Sequence, residues 1–112
     1  MAVKFVQRGD AVDYTPDADV ASGDVVVQGD LVGVAKLDIK AGVLGALAVS
    51  GVFDFPKDTG SATAIAAGAK VYWDAVNEVA TTDADGGTNK LIGKVVAAAG
   101  DDDETVRVRM SQ

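Results

Sequence analysis

Short apolar runs alternate along the chain with glycine, aspartate and asparagine, and most runs show a period of two. That pattern predicts strands. Residues 24–28 and 31–37 flank Gly29-Asp30, a pair suited to a two-residue hairpin turn. Lys40-Ala41-Gly42 marks the next turn, and a strand follows over residues 45–55 until Pro56 removes a ladder donor. Small residues at 58–69 predict a loop with one helical turn over 62–67. Residues 70–76 form the next predicted strand and 77–82 a short return, followed by a flexible turn at 83–89. Residues 91–99 and 105–112 close the chain as two strands joined through Gly100-Asp101-Asp102-Asp103.

The first twenty residues differ from the rest. They mix alternating charge, Tyr14 and Pro16 with little apolar content, so residues 1–20 are expected as an extended arm ordered by a partner. Val3, Phe5, Val6 and Tyr14 would be its apolar anchors. Residues 21–112 are expected as one β domain.

An internal echo organises that domain. Ala21 to Val26 resembles Ala67 to Val71 with Gly23 and Gly68 aligned. Leu31-Val32-Gly33-Val34-Ala35 resembles Leu91-Ile92-Gly93-Lys94-Val95, and Ala41-Gly42 resembles Ala99-Gly100. Two like halves, neither able to bury its apolar face alone, predict a pseudo-twofold β structure.

Composition narrows function mainly by exclusion. At 112 residues there is room for one core. A formal charge of −7, with scattered basic residues, argues against a nucleic-acid partner. Cysteine and histidine are both absent, which excludes disulfides, thiolate and imidazole catalysis and most zinc sites. The start MAVKFVQRGD lacks a signal-peptide core, and no apolar run approaches the ~20 residues that span a bilayer. The expectation is a chain folded in a cytoplasm, without membrane, cofactor or metal.

Candidate chemistry is thin. Gly68-Ala69-Lys70 and Gly93-Lys94-Val95 lack the upstream glycine and following hydroxyl of a phosphate loop. Counted from Asp83, the fifth, sixth and twelfth places of a calcium loop hold Gly87, Thr88 and Lys94, which reads instead as a solvated turn. The acidic run Asp101 to Glu104 reads as a solvated loop that discourages edge pairing. Ser22, Ser50 and Ser61 have no histidine to activate them, and no enzyme is expected.

The aromatic residues carry more. Tyr72 and Trp73 are adjacent in a strand and must face opposite sides. Phe53 and Phe55 share a face, either as core or as an oligomer contact, with Trp73 a further candidate for that contact.

The stretches GVFDFPK, AAGAKVYWD and LIGKV with a closing VRVR, in this order, resemble a family of small phage proteins. Once labelled RecA/RadA-type phage recombinases, these are now described as capsid cement proteins and are similar in kind to lambda-type head decoration proteins. The likeness covers residues 21–110. It implies a compact β-clip or β-tulip-like small barrel or sandwich, assembled as a homotrimer on the exterior of an expanded capsid. The implied function is to bind the major capsid protein and stabilise contacts between its subunits, with Val3, Phe5, Val6 and Tyr14 as a capsid-binding arm and Phe53, Phe55 and Trp73 as oligomer or capsid contacts. The alternative is a virion-surface module for polysaccharide or a host cell surface, which an exposed cluster around Trp73 would favour.

Overall fold

The computed structural model describes residues 2–112 and is all-β. Its strands are β1 (Ala11–Tyr14), β2 (Val25–Gln28), β3 (Leu31–Ala35), β4 (Gly45–Ala48), β5 (Gly51–Pro56), β6 (Lys70–Asp74), β7 (Val79–Thr81), β8 (Lys90–Ala97) and β9 (Thr105–Met110). They form two antiparallel sheets, ordered β1-β4-β3-β2 and β5-β9-β8-β6-β7. The second sheet curls until Lys57, just past β5, forms a single parallel bridge with Ala80 of β7. Closure stops there, so the molecule is a sandwich of two sheets.

The main core lies between them. Along β9 the pattern is strictly alternating: Val106, Val108 and Met110 are buried while Thr105, Arg107 and Arg109 face water. These side chains meet Val71, Trp73, Ile92, Val95 and Phe55 of the same sheet and Val32 and Val34 of β3. The opposite face of the first sheet carries a smaller cluster of Ala35, Ile39 and Leu47, flanked by half-buried Val12, Tyr14, Val20 and Val26. Strand β3 therefore has both faces covered, which explains its unbroken apolar sequence.

The internal echo is a repeat of topology. In each half a leading strand pairs with the last strand, and the order is first, fourth, third, second: β1-β4-β3-β2 answers β5-β9-β8-β6. Two isolated bridges also correspond, Val20 with Ile39 and Ile65 with Ala99. The amide of Gly23 donates to Ala35 as that of Gly68 donates to Val95, both glycines at positive φ (92° and 85°). Gly33 and Gly93 occupy matching places where the chain crosses closely. A Cβ on Gly93 would lie 2.0 Å from the Arg109 carbonyl oxygen, and one on Gly33 2.8 Å from the Leu47 Cβ. The bridges place Ile39 opposite Ala99 in the comparison, so the pairing of Ala41-Gly42 with Ala99-Gly100 is displaced by two residues.

Three further expectations change. Residues 45–55 are two strands in different sheets, because the chain turns at Val49-Ser50 and Gly51 takes φ +112°. Residues 62–67 form no helical turn; Ile65 is instead held by Ala99. Residues 11–20 belong to the folded body. Ala11 to Tyr14 pair with Ala48 to Gly45, and Val20 bonds with Ile39, so within the expected arm residues 2–10 precede the first strand. The repeat explains this: β1 is the counterpart of β5, with Tyr14 in the place of Phe55.

Candidate binding surface

The polar groups singled out by sequence are occupied with holding loops together. Asp101 Oδ1 accepts the amides of Thr63 and Ala64 at 3.1 and 2.8 Å, and Asp103 Oδ2 accepts that of Gly100 at 2.8 Å. Beneath them Lys57 is buried, its Nζ donating to the Asp58 carbonyl (2.6 Å), the Asp103 carbonyl (3.1 Å) and Thr63 Oγ1 (3.3 Å). The acidic run is thus half of a lock joining two loops, a role beyond that of a solvated turn. At residues 83–89, Asp83 Oδ1 accepts the Asp85 amide and Asn89 Nδ2 donates to the Asp83 carbonyl, around the 3₁₀ turn Asp85–Gly87. Lys90 Nζ lies 2.9 Å from Asp30, tying this turn to the β2–β3 hairpin. Among the described residues, no cluster of three or more acidic, cysteine or histidine side chains is placed to hold a metal. No helix among them is long and apolar enough to cross a membrane.

The ion pairs are exposed. Arg107 Nε and Nη2 donate to Asp54 Oδ1 and Oδ2 at 3.0 and 3.3 Å across the β5–β9 ladder. That bond lowers the Asp54 pKa and raises that of Arg107. Asp19 is lowered chiefly by the Ala41 amide and then by Lys40, and Asp74 chiefly by the Asn77 amide.

The aromatic candidates separate into surface and interior. Phe53 is half-buried and meets Phe55 edge-on, ring centroids 6.5 Å apart. Phe55 in turn lies 6.1 Å from Trp73. Phe55 (2% exposed) and Trp73 (6%) are inside the main core, which corrects their candidacy as contact residues. The reason is geometric: β5 and β6 turn these side chains toward β3, and Phe53 sits at the end of that line where the core opens. Tyr14 is half-buried against the smaller cluster rather than presented on an arm. Val3, Phe5 and Val6 are fully exposed, as expected for residues outside the sheets.

Beside Phe53 lies a surface the sequence reading missed. A groove of about 1020 Å³ runs between the loop at Lys36 to Lys40, the segment Val43 to Ala46, and the start of β5. Leu37, Val43, Leu44 and Val52 line it with their side chains exposed. Asp10 and Ala11 form its rim, where the N-terminal segment leaves the body. The only sequence signal was the adjacent pair Val43-Leu44 directly after a turn glycine, where a solvated turn would be polar. Apart from the N-terminal segment and this groove, the only large apolar side chains exposed among the described residues are Val27, Val76 and Val96. Apolar surface gathered in this way is suited to holding another macromolecule.

Comparison with known proteins agrees in kind. A family model described as phage cement protein matches residues 6–110. No curated protein and no solved structure matches the chain.

Proposed function

The chain belongs to the phage cement protein family, and from that premise we propose that it decorates the outside of an expanded phage head. It binds the major capsid protein non-covalently there and stabilises contacts between neighbouring capsid subunits. The observation that supports a specific surface is the groove lined by Leu37, Val43, Leu44 and Val52, with Phe53 as its inner wall. Burying such side chains contributes about 1.5–3 kcal/mol each, enough for a contact that is weak singly and firm when repeated. A symmetric homotrimer multiplies that contact, because the second and third bind at high effective concentration. The two-sheet body, with its loops cross-tied by Lys57 and Asp101, supplies a rigid clamp.

The reading as a polysaccharide or cell-surface module asked for an exposed cluster around Trp73, and Trp73 is buried. The test of the capsid reading is direct. Purified protein is mixed with undecorated expanded capsids, and bound stoichiometry and disruption temperature are measured. Saturable binding with a raised disruption temperature is the expected result; protein that neither binds nor protects overturns the proposal.

A further inference from the structure

The repeat has one unmatched member. In the second half β7 lies on the outer edge of β6; in the first half, among the described residues, the corresponding edge outside β2 carries no strand. An open strand edge leaves backbone donors and acceptors free to pair with another chain. Beside β2 is a cleft of about 580 Å³, lined by Val25, Val27, Pro56 and Ala75, with Trp73 at its base. Its only charged residues are Asp24 and Glu78.

The chain also carries a segment that fits this vacancy. Residues 2–9 lie outside both sheets, and their pattern alternates: Val3, Phe5 and Gln7 on one side, Lys4, Val6 and Arg8 on the other. They hold two of the ten basic residues and none of the seventeen acidic ones. A basic segment with an apolar face thus complements a cleft that mixes polar and apolar surface and carries Asp24 and Glu78.

We propose that the N-terminal segment of one copy adds as a fifth strand to the free edge of β2 in a second copy. Val3 and Phe5 enter the cleft against Val25, Val27 and Trp73, while Lys4 and Arg8 lie near Asp24 and Glu78. The segment springs from β1, the opposite edge of the same sheet. Reaching the strand position beyond its own β2 means crossing four strand spacings of ~4.8 Å, about 19 Å, which consumes roughly two-thirds of its reach. A neighbour's edge needs no such detour. Donation is head-to-tail, each copy giving one strand and receiving one, and such contacts close into a ring. The proposal concerns copies of this chain alone and does not depend on the capsid reading.

The test uses the full-length protein without capsids. Sedimentation over a range of concentrations is compared for the wild type, Phe5→Asp and Glu78→Lys, with hydrogen exchange to locate the contact. The expected result is a wild-type oligomer that dissociates at roughly tenfold higher concentration in either variant. Amides of residues 3–6 and of β2 become protected on association, and Trp73 emission shifts. Reversing both sides, Asp24→Lys and Glu78→Lys combined with Lys4→Glu and Arg8→Glu, restores assembly. A wild-type monomer at every concentration overturns the proposal, as does an oligomer whose N-terminal amides exchange freely. A Phe5→Asp oligomer that dissociates no more readily than the wild type also overturns it.

Discussion

The side-chain amide of Gln112 pairs with the backbone of Val32 as a strand would: Oε1 accepts the Val32 amide at 2.8 Å, and Nε2 donates to its carbonyl at 2.7 Å. The chain two residues beyond β9 is thereby fastened to β3 of the other sheet. Both bonds are part-buried, so loss of the side chain leaves two main-chain groups without partners. Gln112→Ala should lower unfolding stability by about 1–3 kcal/mol, measured by urea denaturation. Gln112→Glu should cost at least as much, since the carboxylate accepts from Val32 but cannot donate to it.

Lys57 gives a second prediction about stability. Its buried ammonium serves two carbonyls and the Thr63 hydroxyl. Lys57→Met fills the same space but leaves those acceptors unmet, and should cost about 2–4 kcal/mol. The loops at residues 57–63 and 100–104 should then show faster amide exchange than the rest of the body.

The groove and the core make opposite predictions. Leu44→Asp and Val52→Asp change exposed side chains, so folding stability should move by no more than about 0.5 kcal/mol, while capsid binding falls at least roughly tenfold. Phe55→Ala removes a side chain that is 2% exposed and should cost about 3–5 kcal/mol of stability. Denaturant midpoints paired with capsid sedimentation distinguish the two classes.

The pH dependence follows from Asp54. Its folded pKa lies below the ordinary 3.8 because Arg107 hydrogen-bonds the carboxylate. A depressed folded pKa adds stability that is present above 3.8 and is lost as pH falls through the folded value. Asp19 and Asp74 act in the same direction. Wild-type stability should therefore fall more steeply below about pH 4 than that of Asp54→Asn. The slope difference should vanish near neutral pH, and denaturation titrations of both proteins check it.

Most strands were legible because alternation survives in the sequence. Val106, Val108 and Met110 are buried just where the period of two places them, and the Gly29-Asp30 turn joins β2 to β3 as its chemistry requires. Features made by distant pairing were harder to see. β1 is four residues long, and its partner Ala48 is remote in sequence from Ala11, so nothing local separates it from an unpaired segment. The break between β4 and β5 interrupts no apolar pattern. Opposite facing of Tyr72 and Trp73 follows from adjacency, but which of them meets the core depends on where β3 lies. Lys57 reads as a surface residue until its three acceptors are seen together. The groove draws on separate segments, none conspicuous alone.

The register of β1 against β4 also bears on mechanics. The strand that leads out of the N-terminal segment is held along its length by four successive residue pairs, Ala11–Ala48 to Tyr14–Gly45. Tension drawn along the axis of β1 loads those pairs in shear, together, instead of peeling them apart one at a time. A fastening built this way yields abruptly at a high force and scarcely creeps below it.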